Sequence, residues 1–518
     1  MELKLISCCL LSCLAAAYAG NILAVFPHDG YSHFKVVTPV LEELARRGHQ
    51  LTVISFVNNT AANYEQLLLA TEAEQATTIN REYLNGMQTG RSLKNMFVEY
   101  FDLFKGAQTN CERLFASGYV QQVLQRHQRQ PYELLLTEYF SSDCQLALGK
   151  LLGLPIIGLS TCALMPYHYD RIDLPDTPSH IQSQYVGYAQ RLSWFERLEN
   201  FIQAKSLKLL YAHHTNRADN ALIKRYLHLD MDVAAVAREQ TAFIWVNQHY
   251  SHLGSRPRTP QLLEIGGVHI TEQAKQQLPT HIAKFLQQSP QGVIFISWGS
   301  QVLASSIDQH KLQSMLQVLS AQPLNVIWKW EADKLPLMNN EKFLFVKWAP
   351  QLALLAQAEV KIFWTHAGLL GMTEALHCGK PMLMTPIYGD QFLNAHAAQT
   401  RGVGLILSYE DIKAAQLKTK LAALSKPDYA TRAAQLAEIF NGRERTPLET
   451  AIWSVEHVLQ HGLLAAQLLQ SPGIELNWFV YYSLDSLLLL LAAFALLCYC
   501  LNKLLRRRSP QQVKAKRA

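Results

Sequence analysis

The sequence predicts an α/β protein with two doubly wound, Rossmann-like domains that face each other across a cleft, followed by one transmembrane helix. Apolar runs of strand length alternate with helical stretches over most of the 518 residues, a pattern typical of parallel sheets. Loop-forming residues interrupt the alternation near residues 255–290, and it then starts again. A long apolar stretch close to the C-terminus predicts the membrane helix.

The first domain follows a segment with the features of a secretory signal peptide. Lys4 precedes an apolar run that is too short to span a bilayer and that ends in an Ala-Tyr-Ala cleavage pattern. Residues 1–19 are therefore expected to be a signal peptide. Residues 20–270 are expected to form the first domain, which opens with a βαβ unit, and residues 271–465 the second.

The second domain shows a clear series of strand-length apolar runs separated by helical stretches. The six predicted strands are Val293–Ser297, Asn325–Trp330, Phe343–Lys347, Val360–Thr365, Pro381–Thr385 and Val403–Leu407.

The apolar stretch at residues 479–501 predicts a single membrane-spanning helix. It contains one charged residue, Asp485, and its length meets the roughly 20 residues that a helix needs to span a bilayer. Aromatic residues precede it and the basic segment 502–518 follows it, which predicts a cytosolic tail and a lumenal body. Lys514 and Lys516 have the spacing of a retrieval signal of the endoplasmic reticulum. We therefore expect a single-pass type I membrane protein of that compartment.

Charge and cysteine content argue against two other classes of protein. The net charge is +6, but residues 502–518 carry seven Lys and Arg and no acid, so the rest of the chain sums to −1. A balanced body argues against a nucleic-acid surface. The nine cysteines are too sparse for a disulfide-dense scaffold and lack metal-ligand spacing, so no metal site is expected. Asn58 begins the one glycosylation sequon, Asn-Asn-Thr.

Polar and aromatic residues follow three of the predicted strands in the second domain, and the carboxyl ends of parallel strands share one edge of a sheet. Trp348 offers a flat face on which a base can stack. Gln351 can hydrogen-bond the base or the ribose, and Glu374 can accept ribose hydroxyls. These three residues predict a nucleoside site.

A diphosphate and a sugar are the groups expected next to that nucleoside. His366 and Gly368 stand where a strand ends and a helix begins, and the free backbone amides of a helix N-terminus attract phosphate. Asp390 and Gln391 offer an acceptor and an amide to sugar hydroxyls. The combined pattern predicts a site for a nucleotide diphosphate sugar.

The stretch from Trp348 to Gln391 contains W-A-P-Q, F-W-T-H-A-G-L-L-G-M-T-E-A-L-H-C-G-K-P and P-I-Y-G-D-Q. It resembles the UDP-glycosyltransferases, specifically the animal membrane-bound UDP-glucuronosyltransferase branch. The likeness extends to F-P-H and S-H near the start of the first domain, to S-W-G-S at residues 297–300, and to Y-S-L-D before the anchor. The N-terminal elements look more like those of invertebrate members.

This resemblance implies a GT-B fold and an inverting mechanism in which a histidine of the first domain acts as general base on the acceptor. By position that histidine is expected to be His28, with His33 as the nearby rival. A carboxylate is expected to orient it, either Asp143, which we favour, or Glu138.

The resemblance also implies that Gly299 and Ser300 contact UDP. Ala367 stands where the family usually has glycine, and we expect it to be tolerated if its backbone has negative φ.

The predicted function is transfer of a hexose from UDP-glucose or UDP-glucuronate to a small lipophilic acceptor, as in detoxification, with no cofactor. The expected partners are the UDP-sugar, the acceptor and the bilayer, but no nucleic acid; formation of homo- or hetero-oligomers stays open. One alternative is a catalytically silent membrane protein of the same fold that binds lipophiles or a partner. Another is a transferase with a lipid or protein acceptor.

Overall fold

The computed structural model describes residues 19–60, 62–69, 93–185, 187–188, 191–272, 277–300 and 302–508. The expected signal peptide, apart from its last residue, and the expected retrieval signal lie outside these ranges. The chain forms two compact units, one ending at Leu469 and the other beginning at Gln470.

The N-terminal half of the first unit is built on a parallel sheet of seven strands in the order β3-β2-β1-β4-β5-β6-β7. The strands are β1 (Asn21–Phe26), β2 (Gln50–Ser55), β3 (Glu65–Leu68), β4 (Leu134–Glu138), β5 (Ile156–Ser160), β6 (Thr241–Val246) and β7 (Leu262–Glu264). Every residue of the central strands β1, β4, β5 and β6 is buried, because helices cover both faces of the sheet.

Eight α-helices belong to this half in the described part of the chain. They are α1 (Tyr31–Arg46), α2 (Leu93–Ala116), α3 (Tyr119–Arg129), α4 (Leu146–Leu152), α5 (Trp194–Leu210), α6 (Asn216–Leu227), α7 (Val233–Gln240) and α8 (Tyr250–Leu253). A 3₁₀ turn spans Pro166–Arg171, and a π-helical turn at Tyr211–Thr215 joins α5 to α6.

The C-terminal half has a parallel sheet of six strands in the order β10-β9-β8-β11-β12-β13. The strands are β8 (Val293–Ser297), β9 (Asn325–Lys329), β10 (Phe343–Val346), β11 (Val360–Thr365), β12 (Met382–Met384) and β13 (Gly404–Ile406). All six predicted strands are thus confirmed, to within one residue at each end.

Seven helices accompany this sheet in the described ranges. They are α9 (Thr280–Gln287), α10 (Gln309–Ser320), α11 (Gln351–Leu355), α12 (Leu369–His377), α13 (Gln391–Thr400), α14 (Ala414–Leu424) and α15 (Pro427–Asn441).

In both sheets the strand order reverses beside the first strand of the half, between β1 and β4 and between β8 and β11. Loops that leave neighbouring strands in opposite directions open a crevice at the carboxyl ends of those strands, where ligands of doubly wound sheets bind. The fold therefore predicts one crevice in each half.

The expected second domain, residues 271–465, wrongly includes α16 (Pro447–His461), which belongs with the N-terminal sheet. Helices α16 and α17 (Leu463–Leu469) pack on the N-terminal sheet, where their apolar side chains share a core with Phe243 and Trp245. The indole of Trp245 also donates a hydrogen bond to Ser454, 2.9 Å away. The apolar face of an amphipathic helix shows that it covers a sheet, but not which sheet.

The second unit contains the membrane helix. One apolar helix, α19 (Leu484–Arg508) after the short α18 (Trp478–Tyr481), is long enough to cross a bilayer between Leu484 and Arg506. The predicted start at residue 479 is five residues too early, because Ser483 has a left-handed backbone conformation (φ 54°) that separates the two helices.

A disulfide joins Cys111 in α2 to Cys144 in the turn after β4, 33 positions further along the chain. The sequence did not single out this pair. The bridge holds α2 against the segment that follows Glu138, the last residue of β4.

Replacing both Cys111 and Cys144 by alanine should lower the free energy of unfolding by about 2–4 kcal/mol, because the open chain gains conformational entropy when unfolded. Thermal unfolding of the full chain in detergent, with and without a reductant, measures the effect. Cys378→Ala, at a half-buried cysteine outside the disulfide, is the control and should change little. Equal melting temperatures for wild type and the double variant would contradict a structural role for the bridge.

Candidate active site

The N-terminal crevice contains two histidines, one in the loop between β1 and α1 and one at the start of α1. His28 accepts a hydrogen bond on Nδ1 from the backbone N–H of Gly30, 2.9 Å away, and Gly30 is the N-cap residue of α1. His33 lies in the first turn of that helix. The two imidazole rings stack nearly parallel, with centroids 4.1 Å apart and an interplanar angle of 10°.

Glu138 pairs with His33 and not with His28. Its Oε1 lies 2.6 Å from His33 Nδ1 and also accepts a hydrogen bond from the Thr161 hydroxyl at 2.8 Å. The carboxylate is 3% exposed and the His33 side chain 21% exposed. The arrangement is a buried histidine–carboxylate dyad.

The charges of the dyad partners reverse the effect of burial on both groups. Burial by itself lowers the pKa of His33, but the charge and hydrogen bond of Glu138 outweigh it and raise that pKa above its usual range. Burial would raise the pKa of Glu138, whereas the charge and hydrogen bond of His33 bring it below its usual range. The carboxylate is therefore ionised at neutral pH and stabilises a protonated imidazole.

Hydrogen bonding gives the two histidines different proton positions. His28 uses its Nδ1 lone pair to accept from Gly30, so its proton lies on Nε2. His33 donates from Nδ1 to Glu138, so its Nε2 carries the lone pair when the ring is neutral. Burial, then the charge of His33, lowers the pKa of His28 to about 4. His28 is therefore a neutral donor and His33 the histidine that can take up a proton.

The prediction that Asp143 orients the histidine is wrong. Asp143 is fully buried, and its carboxylate forms an ion pair with Arg171, whose guanidinium lies 4.0 Å above the ring centroid of Tyr139. The backbone N–H of Asp143 donates to Asp219 at 2.7 Å. Because β4 ends at Glu138, the turn that follows carries Asp143 away from the strand end and into the core.

The C-terminal crevice contains the predicted diphosphate site at the start of α12. His366 follows β11, and its ring lies over Gly299 and Gly368. A Cβ atom on Gly299 would lie 2.7 Å from His366 Cε1, and one on Gly368 would clash with His366 Nε2. Both positions therefore require glycine. Burial, then the charge of Lys329, lowers the pKa of His366 to about 4, so the ring is neutral and can contribute hydrogen bonds but no charge.

Ala367 has a left-handed backbone conformation (φ 66°), so the negative φ under which we expected alanine to be tolerated here is not met. This conformation costs a non-glycine residue on the order of 1–2 kcal/mol. Hydrogen bonds from Ala367 N–H to the Thr365 hydroxyl and from the Asn394 amide to the Ala367 carbonyl hold it in place.

Lys329, at the end of β9, is a candidate that the sequence did not single out. Its Nζ donates to the carbonyl of Gly299 at 2.6 Å, and burial lowers its pKa. Its positive charge contributes to lowering the pKa of His366. Its place near the end of the predicted strand Asn325–Trp330 is the sequence feature that could have identified Lys329. Ser300, after Gly299, is exposed at the mouth of the crevice.

The predicted nucleoside residues lie together. Gln351, the first residue of α11, donates from its side-chain amide to Glu374 Oε2 at 2.6 Å, and Glu374 is on α12. Burial raises the pKa of Glu374 to about 7. Trp348 is 60% exposed, which leaves its indole face open for stacking.

Asp390 and Gln391 begin α13 and have different surroundings. The Asp390 carboxylate accepts from the Asn394 amide at 3.0 Å, and its negative charge contributes to raising the pKa of His33. Asp390 therefore lies in the part of the C-terminal half that is close to the dyad. Gln391 is buried, and its side-chain oxygen accepts from the backbone N–H groups of Ile387 and Tyr388, so it holds the preceding loop in shape.

An apolar wall borders the dyad. Phe140 contacts both histidine rings edge-on, with centroids 5.1 Å from His28 and 4.8 Å from His33. It belongs to a small buried cluster that also contains Met96, Tyr100, Cys162, Met165, Tyr185 and Leu207. A cavity of about 20 Å³ lies beside Glu138 and Phe140.

His28, His33 and Glu138 are also the described residues grouped closely enough to hold a metal ion, with ligand atoms within 4.8 Å of one another. The parallel stacking directs the in-plane lone pairs of the two rings side by side and not towards a common point. The Nδ1 atoms are engaged with Gly30 and Glu138. The geometry fits a hydrogen-bonded dyad better than a metal centre.

Replacing Asp143 by asparagine should leave Arg171 as an uncompensated buried charge and lower the free energy of unfolding by about 3–5 kcal/mol. The chemistry of the dyad should persist, so the acid limb of the pH–rate profile should not move in the folded enzyme. Chemical denaturation and a pH–rate profile measure the two properties.

The control for Asp143 is Asp170→Asn, which removes the partner of Lys208 at an exposed ion pair and should cost under about 1 kcal/mol. Unchanged stability of the Asp143 variant together with a large loss of activity would return Asp143 to a catalytic role.

Comparison with known proteins identifies the family. A family model described as UDP-glucoronosyl and UDP-glucosyl transferase matches residues 20–517. UDP-glucosyltransferase 2 of Dactylopius coccus is 27% identical over 502 residues, which cover 96% of this chain and 95% of the relative. UDP-glucuronosyltransferase 1A9 of Homo sapiens is 27% identical over 504 residues, which cover 95% and 92%.

Two crystal structures have the same fold at low sequence identity. The glycosyltransferase of kitacinnamycin has a TM-score of 0.55 at 16% identity, and the alignment covers 85% of this chain and 98% of the other. The calicheamicin glycosyltransferase CalG4 has a TM-score of 0.55 at 15% identity and coverage of 86% and 99%. The two parallel sheets thus form a GT-B fold, and the chain is a UDP-glycosyltransferase that belongs to the UDP-glucoronosyl and UDP-glucosyl transferase family.

Proposed function

We propose that this protein transfers glucose or glucuronate from a UDP-sugar to the hydroxyl of a small lipophilic acceptor with inversion at the anomeric carbon. One observation carries the proposal. The dyad of His33 and Glu138 in the N-terminal crevice faces Asp390 at the start of α13, so a base and a sugar-binding carboxylate meet across the cleft.

His33 is the general base in this mechanism, in place of His28. The lone pair on His33 Nε2 removes the proton from the acceptor hydroxyl while the acceptor oxygen attacks the anomeric carbon. The bond from that carbon to the UDP oxygen breaks, and its electron pair leaves with UDP. Glu138 stabilises the imidazolium that forms, as carboxylates do in other histidine–carboxylate pairs. A single displacement from the opposite face inverts the configuration.

The C-terminal crevice stabilises the leaving group. Negative charge grows on the diphosphate as the bond to the sugar breaks, and the backbone amides at the start of α12 offer hydrogen bonds to it. Lys329 supplies a positive charge close to Gly299. Trp348 stacks on the uracil, while Gln351 and Glu374 bind the ribose. Asp390 accepts hydrogen bonds from the sugar, and Gln391 supports it through the 386–389 loop.

His28 has a positioning role. Its Nε2–H donates to the acceptor oxygen and turns the hydroxyl proton towards His33, which the stacking of the two rings allows. The wall around Phe140 favours lipophilic acceptors, because it offers apolar contacts and few hydrogen bonds.

The cellular setting that we propose is the endoplasmic reticulum, with the body in the lumen and one membrane span. The Cys111–Cys144 disulfide supports an oxidising compartment. Asn58 is exposed and available for glycosylation. A detoxifying role fits lipophilic acceptors. A catalytically silent relative is disfavoured, because the described residues retain the base, its carboxylate and Asp390.

His33→Ala should reduce kcat by two to four orders of magnitude with either donor, the loss expected when a general base is removed. His28→Ala should cost about 5-fold, the value of one hydrogen bond of about 1 kcal/mol. Turnover of a panel of phenols by the full chain in microsomes, with UDP-glucose and UDP-glucuronate compared, measures both. A deeper loss in His28→Ala than in His33→Ala would reverse the assignment, and no turnover of any phenol by wild type would refute the proposed reaction.

Glu138→Gln should shift the acid limb of the kcat/KM profile to lower pH. Wild-type activity rises with pH as His33 loses its proton, at a pKa that Glu138 holds above the usual range. Without the charge, burial dominates and the pKa falls, while the plateau rate drops because the imidazolium is no longer stabilised. Thr161→Val removes a hydrogen bond to Glu138 but keeps the charge of that carboxylate. The acid limb of the Thr161→Val profile should therefore move little. If the acid limb of the Glu138→Gln profile stays at the wild-type pH, the dyad of His33 and Glu138 is not the catalytic base.

A further inference from the structure

Helix α5 exposes an apolar face to solvent. Phe195 is 76% exposed and Trp194 60% exposed, and three more large apolar side chains on the same face are exposed. These three are Leu198, Phe201 and Ile202. Their positions relative to Trp194 are those of one side of an α-helix.

The opposite face of α5 buries polar side chains. Asn200 and Gln203 are fully buried. Asn200 accepts from the backbone N–H of Ser183 at 2.8 Å and donates to the carbonyls of Pro178 and Ile181 at 2.6 and 2.8 Å. These hydrogen bonds fix the rotation of the helix about its axis. The aromatic residues therefore cannot turn inward, and their exposure is built into the fold.

The neighbouring helix α2, which contacts α5, extends the apolar surface. Val98 is 52% exposed and Phe101 45% exposed, and the Phe101 ring packs edge-on against His214 in the π-helical turn after α5. We call the exposed side chains at 98, 101, 194, 195, 198, 201 and 202 the apolar surface. Five of these seven side chains lie on one side of α5, and an exposed apolar region of this kind on a folded protein marks a contact with a partner or a membrane.

We propose that the apolar surface docks the catalytic body onto the lipid bilayer. An amphipathic helix with Trp, Phe and Leu on one side is the element that lies in the membrane interface, and Trp favours the headgroup region. Arg191 and Arg197 are exposed close to Trp194 and suit lipid phosphates.

The membrane helix of the same chain favours the bilayer over a second protein as the partner of the apolar surface. Residues 470–483 join α17 to the membrane helix, and 14 residues span at most about 50 Å when fully extended. A tether of this length keeps the body close to the bilayer at all times. Docking then needs only weak affinity, because it is an intramolecular event at high effective concentration.

Proteolytic cleavage within residues 470–483 of the membrane-bound chain tests this proposal independently of the proposed reaction. A protease site is inserted between Gln470 and Ser471, the full chain is reconstituted in phosphatidylcholine–phosphatidylserine vesicles, and vesicles are floated after cleavage. The wild-type body should stay with the vesicles. A variant with Phe195→Ser, Leu198→Ser and Phe201→Ser should be released at least 10-fold more. Release of the wild-type body to the same extent as the variant would overturn the proposal.

The matched control replaces exposed apolar residues elsewhere. Met338→Ser with Ile439→Ser changes side chains that are 81% and 48% exposed in the C-terminal half, and its body should stay bound like wild type. Release of this control to the level of the α5 variant would show a general effect of surface hydrophobicity and would count against the α5 surface.

Photolabelling of the unmodified chain distinguishes a bilayer from a second copy. Vesicles containing a diazirine phospholipid are irradiated, and the labelled peptides are mapped by mass spectrometry. Label on peptides of α5 as well as on the membrane helix supports docking. Label confined to the membrane helix, with or without crosslinks between two α5 helices, refutes it.

Discussion

The reacting centre depends on the hydrogen bond between His33 and Glu138. Two groups that would each be costly to bury alone stabilise each other, and the pair keeps a carboxylate ionised and an imidazole oriented at the carboxyl end of the N-terminal sheet. The pair forms where β1 and β4 are neighbours although more than 100 residues separate them in the chain. Strand order therefore creates the chemistry, since a histidine after β1 and a glutamate ending β4 meet only in this topology.

In the C-terminal crevice, the constraint is close approach of the backbone to the diphosphate that we propose binds there. Gly299 and Gly368 leave room for the His366 ring, and Ala367 adopts a left-handed backbone conformation so that the amides at the start of α12 can face the ligand. The strain at Ala367 is offset by its hydrogen bonds to Thr365 and Asn394. Asn394 also bonds Asp390, so one side chain links the segment before α12 to the start of α13.

Buried polar side chains also determine which residues lie on the outer surface of the N-terminal half. Asn200 and Gln203 occupy the inner face of α5 and leave the aromatic residues of that helix outside. Arg171 and Asp143 occupy the core behind the dyad, where Tyr139 covers the guanidinium. In both places a polar residue that looks functional or exposed in the sequence is structural.

Local patterns in the sequence predicted much of the fold. Hydrophobic runs located the six strands of the second sheet, because each is a short buried segment between turn residues. The same reasoning missed β6, Thr241–Val246, although its six residues are all buried. Glu65–Leu68 and Leu262–Glu264 are short edge strands with partly exposed residues and give a weak signal.

The sequence by itself determined the two doubly wound halves, the membrane helix, and the grouping of Trp348, Gln351, His366, Glu374 and Asp390 at one sheet edge. It did so because burial and strand direction determine the local order of apolar, polar and turn residues along the chain. Only the tertiary structure decided which histidine pairs with which carboxylate, which sheet α16 covers and which way α5 faces. Those outcomes depend on distances between residues far apart in the chain. Two histidines five residues apart, or two carboxylates five residues apart, are equivalent in sequence and differ only in what the fold brings within hydrogen-bonding reach.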